Sequence, residues 1–386
     1  PLTLTIDNLI FGNGTSTSGF IDFGNNNSYA SGKNILFFSN TNTVNNITPN
    51  EPAIRVSSNT SLIITSTSSS STLTCTASDH GSGIGSGESE TSGTIIIEGN
   101  GTINSTGGSY AAGIGGGAFS NGGNITIQAS AIVNSFSGND GAGIGGGAYS
   151  FVLDTGGDGG NITIGGNSIV TAISSSLGAG IGGGYFGDGG IITIKDVSKV
   201  TAKSEKGGAG VGGGANGNGG TISLLQIYPG ELNAIGGLKL PDTLSPNNIA
   251  DGGAGIGGGS YCDSGVILIN SSANITAVGN DGGAGIGSGY GGDTIDISIN
   301  LLAPGTINAT GLQYVSGIGS GSSLHNSGTA CVESNSGGSS RNITIRGTGI
   351  INAYGGSDSP GIGGENSCIT ILEGININAY WRKKYC

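Results

Sequence analysis

The stretch Ala112-Gly113-Ile114-Gly115-Gly116-Gly117 keeps returning, and that return is the strongest constraint on what this chain can fold into. Copies stand around Ile144, Ile181, Val211, Ile256 and Ile286, with weaker ones around Ile84, Ile318 and Ile362. Most neighbouring copies are about 30 residues apart, a period that belongs to a solenoid or array rather than a single-core globule. Two further patterns ride in phase. One is Gly122-Gly123-Asn124-Ile125-Thr126-Ile127, repeated at Gly159 to Ile164. The other is a run such as Ser168-Ile169-Val170-Thr171-Ala172.

Alternation defines the strands. In Asn124-Ile125-Thr126-Ile127 the isoleucines share one face, and Asn124 and Thr126 share the other. Ile132 to Phe136 gives a second strand, and the glycine motif gives a third side or a corner. Three short strands then close one coil of about 30 residues. Parallel stacking of such coils pairs each strand with those above and below. The expected fold is all-β: a single right-handed parallel β-helix, right-handed because parallel crossovers almost always are. Some twelve coils at about 4.8 Å each give a rod on the order of 60 Å long. The inward column is expected to hold Ile84, Ile114, Ile144, Ile181, Val211, Ile256, Ile286, Ile318 and Ile362.

The chain divides in three. Residues 1–80 are lead-in coils without the glycine motif, with strand-like runs at Leu2–Ile6, Asn34–Phe38, Ala53–Val56, Ser61–Thr65 and Thr72–Thr76. Residues 81–379 are the glycine-rich array, and residues 380–386 an aromatic, basic tail. Longer gaps after Ile144, Val211 and Ile318 place loops at Tyr149 to Asp158, Leu238 to Pro246 and His325 to Ser340, on one corner of the solenoid.

Composition narrows the function. Glycine supplies 83 of 386 residues without a three-residue period, and prolines number 8, which excludes a collagen triple helix. The net charge of −12 argues against nucleic acid, which needs a basic patch. No apolar run approaches the roughly 18 residues of a membrane-spanning helix. The chain starts at Pro1 and has no methionine, so a processed, secreted or cell-surface product is expected. Acceptors of the form Asn-x-Ser/Thr are dense: Asn13, Asn26, Asn46, Asn59, Asn100, Asn104, Asn124, Asn161, Asn270, Asn274, Asn308 and Asn342. Asn124, Asn161 and Asn342 should face outward and carry N-linked glycans.

With Ile114 inward, the glycines beside it form a strip of backbone without side chains. Glycine weakens a strand by about 0.5–1 kcal/mol, so its repeated use answers a need. Either some glycines take positive φ at a corner, or something approaches the backbone closely.

The set Gly141 to Gly147, Gly160 to Ile164 and Val170 to Ala172 resembles the glycine-rich repeat of large secreted and surface proteins of bacteria and some microbial eukaryotes. Those proteins are similar to pectin-lyase-like right-handed β-helices, and residues 53–379 share the pattern. The resemblance implies architecture and little about activity. Pectin-lyase-like enzymes act through clustered Asp, often with His, Arg or Lys. Here Asp140, Asp158, Asp188, Asp251, Asp281 and Asp293 each sit near glycine, at turn positions. His80 and His325, the only histidines, have no motif partner. Asp154 to Asp158 is the best isolated calcium candidate, without the nine-residue period of calcium-binding β-helices. The row Asn124/Thr126, Asn161/Thr163, Ile191/Thr193 is too irregular for the threonine lattice of an ice-binding solenoid. No catalytic set and no cofactor is expected.

Cysteines number 5. Cys75 shares parity with Leu73 and Ala77 and is expected buried and free. Any two of Cys331, Cys368 and Cys386 are spaced to bridge, which leaves Cys262 free in a loop.

The reading is a secreted, N-glycosylated structural protein, not an enzyme, that builds an extracellular fibre, coat or adhesive surface. Its alternative is a carbohydrate-binding or carbohydrate-cleaving β-helix. Open β-helix ends suggest head-to-tail stacking. Leu2, Leu4 and Ile6 would mate with a terminal strand, and Trp381, Arg382, Lys383 and Lys384 would cross the junction.

Overall fold

The computed structural model describes residues 2–12, 19–23, 33–148, 156–225, 230–239, 251–321, 338–357, 359–364 and 367–382, with Trp381 and Arg382 described by their backbone alone. Every regular element among them is a β-strand. The strands form three sheets of 12, 12 and 11 members, and each coil contributes its strands to the three in turn. Sheet A begins with Thr3–Asp7 and Asn34–Ser39 and ends with Cys368–Ile371. Sheet B runs from Ile10–Phe11 to Asn376–Arg382, and sheet C from Ile21–Asp22 to Ile362–Gly363. Neighbouring strands pair in parallel. The molecule is a parallel β-helix.

The register shows why an isoleucine recurs. Ile54, Ile84, Ile114, Ile144, Ile181, Val211, Ile256, Ile286, Ile318 and Ile362 pair one above another along sheet C. All are wholly buried except Ile362, which is half-buried in the last coil. Ile125 and Ile127 stack the same way on Ile162 and Ile164 in sheet A. Burying one such side chain contributes about 1.5–3 kcal/mol, and the repeat multiplies this along a single continuous core. The lead-in coils belong to that core, since Leu36, Leu62 and Leu73 lie within it.

A third inward column consists of small residues: Cys75, Ser105, Ser135, Ala172, Ala202, Ala234, Ala277, Ala309 and Ala353, in register along sheet B. The cause is the glycine motif, which runs close against them. Ser105 Oγ donates to Gly113 O at 2.7 Å, and Ser135 Oγ to Gly143 O at 2.6 Å. Cys75 fills one step of this column, fully buried and free. Burial pushes its thiol far above the usual range, which leaves it unreactive.

The glycine strip is not open to solvent. Gly113 and Gly115 to Gly117 are buried, and so are the corresponding glycines of later coils except Gly364 in the last, which is half-buried. Segments before and after the motif meet over it: Ala118 N donates to His80 O, Ala148 N to Tyr110 O, Tyr185 N to Asp140 O and Ala215 N to Leu177 O, at 2.6–2.9 Å. A small second core forms there from Ala148, Leu177, Tyr185 and Ala215, with Tyr110 and Phe186 packed on it. The motif is therefore a buried two-residue strand between an isoleucine core and an outer ridge. Close approach of backbone is present, and positive φ is present too, within the strand rather than at a corner. Gly145 has φ +135, and a Cβ there would collide with Gly182 O of the next coil. The chain's own backbone is what approaches.

The last strand, Asn376–Arg382, takes in Tyr380 to Arg382, so the expected tail begins later than residue 380. Most of the three expected insertion loops lies outside the described residues.

Candidate functional site at the coil ends and outward faces

The end coils differ from the rest because nothing described stacks on them. In the final strand of sheet A, Ile369 and Ile371 occupy the inward register of Ile343 and Ile345 yet are 40% and 54% exposed. Leu372 and Tyr380 are exposed beside them. At the first coil Leu2, Ile10, Phe11 and Phe20 are exposed. Ile6, expected at a mating edge, turns inward and is buried, and Leu4 packs partly against the core. Their alternation places them under Phe38 and Leu36, which explains the difference. The side chains of Trp381 and Arg382, and Lys383 and Lys384 entirely, lie outside the described residues.

The outward faces carry the glycan acceptors. Asn59, Asn100, Asn124, Asn161, Asn270, Asn274 and Asn342 are exposed, and Asn104 and Asn308 are half-buried. Asn46 is 1% exposed, and its Nδ2 donates to Glu51 O and Pro52 O. A sugar there would have to displace those bonds. Asn13 and Asn26 lie outside the described residues. Several acceptors join amide ladders along the axis: Asn161 Nδ2 donates to Asn124 Oδ1, and Asn342 Nδ2 to Asp296 Oδ1, both at 2.8 Å.

The regular polar row lies on sheet B, where the sequence reading did not look. Its central outward column is Thr43, Thr74, Asn104, Asn134, Thr171, Thr201, Asn233, Thr276, Asn308, Asn352 and Asn378. Every member can hydrogen-bond to a neighbour one coil away. Pairing of separate strands, rather than any local spacing, brings these residues together.

The turn aspartates also form a column. Asp158 N donates to Asn121 Oδ1, Asp188 N to Asp158 Oδ1, Asn218 N to Asp188 Oδ1, Asp263 N to Asn218 Oδ1 and Asp293 N to Asp263 Oδ1, at 2.7–3.1 Å. Each side chain caps the next coil's backbone. Desolvation raises the Asp158 carboxyl above its ordinary value; the Asp188 N–H partly offsets this and the Asp188 charge adds to it. A raised carboxyl favours the fold while protonated, and that contribution is lost as pH rises through the folded-state value. Asn121 and Asn218 already do the same job uncharged. Asp158→Asn is therefore expected to raise the unfolding midpoint at neutral pH and to match the parent in acid. Equal midpoints across a pH series of thermal melts would contradict this.

Arg55 and His80 each stand among carboxylates. Arg55 contacts Glu51 and, at 3.7 Å, Glu90. His80 Nδ1 lies 3.3 Å from Glu88 Oε2, Nε2 lies 3.7 Å from Asp79, and the ring sits edge-on to Tyr110 and Phe119. The carboxylates come from the next coil or the adjoining turn, so no linear motif announces them. Arg55 stands in the sheet C register of Gly85, just before the glycine column begins. Carboxylates flank both side chains, and Arg55 Nε and His80 Nδ1 are buried without a hydrogen-bond partner among the described residues.

Asp251, buried, accepts from Tyr261 Oη at 2.5 Å and pairs with Lys239 at 3.3 Å. Among the described residues no group of three or more His, Cys, Asp or Glu is placed to hold a metal. Asp154 and His325 lie outside them. No described helix is long and apolar enough to cross a membrane.

The cysteines depart from expectation. Cys368 is a free, exposed thiol, and Cys262 is disulfide-bonded. Because Cys75 and Cys368 are free, the partner of Cys262 lies outside the described residues, as do Cys331 and Cys386. Cys262 is wholly buried at a corner of its coil, a placement that sequence spacing alone did not reveal.

No protein-family model, curated protein or solved structure matches the chain.

Proposed function

We propose that this chain is a structural β-helix of an extracellular coat, fibre or adhesive surface, N-glycosylated on its outward faces and joined end to end. The observation that carries it is the pair of end coils on which no described residue stacks. Ile369 and Ile371 sit in core register with no described coil above them, and Leu2, Ile10 and Phe11 are exposed at the other end. Parallel strand edges left bare are templates for another strand. A contact between unlike ends does not close, so it propagates. Tyr380 to Lys384 would lie across that junction. Glycans on the faces would keep neighbouring rods apart and restrict contact to the ends. Such a protein acts by shape and catalyses nothing.

One preparation of the secreted chain tests both parts. Light scattering should show growth with concentration, lost when residues 380–386 are removed or when Ile369 and Ile371 are changed to lysine. Glycopeptide mass spectrometry should find sugar on Asn124, Asn161 or Asn342. A full-length chain that stays strictly monomeric at high concentration sinks the end-to-end reading. Three bare asparagines sink the glycan reading.

A further inference from the structure

Near the last coils, sheet B carries a notch of ≈ 210 Å³ lined by Thr310, Gly311, Leu312, Tyr354, Gly355 and Tyr380. Its origin is a break in one outward column. Tyr354 and Tyr380 are in register, with rings stacked 4.9 Å apart and 6° from parallel. One coil earlier the column holds the much smaller Thr310. Gly311 and Gly355 add no side chain, and exposed Leu312 borders the gap. One face of Tyr354 is covered by Tyr380, and the coil on its other side offers only a threonine.

Asn308 lies two residues before Thr310, on the same face, and Asn308-Ala309-Thr310 is a glycan acceptor. Its Oδ1 accepts from Asn352 Nδ2 at 2.8 Å, and its own Nδ2 makes no hydrogen bond within the described structure. In Asn161 and Asn342 that nitrogen is the ladder donor. A sugar on Asn308 Nδ2 would leave the Asn352 bond in place. Tyr354 is the diagonal neighbour of Asn308, on the order of 8 Å away by coil spacing and strand rise.

We propose that this notch seats the first pyranose of an N-linked glycan on Asn308. The C–H face of the sugar lies against the Tyr354 ring, whose negative face attracts it. The notch is the size of one pyranose. The described lining carries no charged side chain. The inference rests on the glycosylation reading and not on end-to-end assembly.

The test combines site-by-site glycopeptide mass spectrometry with thermal melts of the secreted chain, Asn308→Gln, Tyr354→Ala and the double variant. Asn308 should be occupied, and removing its acceptor should lower the midpoint by about 2 °C. In the Tyr354→Ala background the same removal should change nothing. Repeating the melts on chain made without glycosylation controls for the amide alone, where Asn308→Gln should have no Tyr354-dependent effect. A bare Asn308 among occupied neighbours overturns this inference while sparing the glycosylation reading. Bare asparagines throughout overturn both. An occupied Asn308 whose removal costs the same with and without Tyr354 also overturns it.

Discussion

Alanine at Gly145 is expected to destabilise the chain by about 2–6 kcal/mol. The sum is backbone strain of about 1–3 kcal/mol plus an overpacking cost of about 1–3 kcal/mol. The residue has φ +135, which an L side chain rarely adopts, and its Cβ would meet the backbone oxygen of Gly182. That oxygen cannot yield alone, because Gly146 N donates to it at 2.9 Å. Gly182, Gly212 and Gly257 repeat the geometry, at φ +136, +136 and +134. Gly165→Ala is the contrast. It has no positive φ, and the one backbone atom a Cβ would press on, Lys195 O, stands at 2.9 Å, so a small shift relieves it; the other two nearest atoms belong to the flexible Lys195 side chain. Circular-dichroism melts should show Gly145→Ala far below the parent and Gly165→Ala between the two. Equal midpoints would mean that the motif's glycines are not held by their neighbours.

The second large effect is expected at Ile181, in the middle of the sheet C column. It is wholly buried between Ile144 and Val211. Truncation to alanine removes transfer energy and leaves a cavity, at a cost of about 2–5 kcal/mol. Ile369→Ala, in a coil exposed on one side, should cost under about 1 kcal/mol. Urea titrations of both variants give the comparison. A loss at Ile369 as large as that at Ile181 would show that the last coil is covered in solution.

The isoleucine columns could be foreseen because periodicity is a property of the sequence itself. Ile114 and Ile144 announce their pairing by their spacing, and Asn124 and Ile125 announce which way they face. What lies over Gly113 to Gly117 could not be read so. A glycine has no side chain to reveal its environment, and the covering ridge comes from corners whose sequences vary, such as Tyr110, Leu177 and Tyr185. The small column of Ala172 and Ala202 was visible as a repeat, but its cause was not: it needs the motif's backbone to come within hydrogen-bond reach of Ser105 and Ser135. The notch depends on Thr310 standing below Tyr354, a relation between coils rather than within one. Cys262 escaped for the same reason. Its bond is set by where a corner sits in space, and spacing from the other cysteines says nothing of that. Ile6 belongs to the core rather than to a mating edge, because its inward parity sets it beneath Phe38 even in an end strand.

The outer ridge over the glycine motif has a mechanical consequence. Sheet hydrogen bonds in a β-helix run along the axis, from coil to coil, so a pull on the two ends loads them in series. A chain of links in series is as strong as its weakest junction, and more coils add length without adding strength. On the sheet C side, however, the coils from Ile84 to Ile286 are each tied to the next twice. Ile114 N donates to Gly143 O within the buried strand, and Ala148 N donates to Tyr110 O across the ridge outside it. These ties share the load at one level, so a junction opens only when both give way together. The side built from the shortest strands is thus reinforced against peeling where the ridge closes over it, while on the outward faces of sheets A and B amide ladders, such as Asn161 to Asn124 and Asn134 to Asn104, supply the second tie between coils.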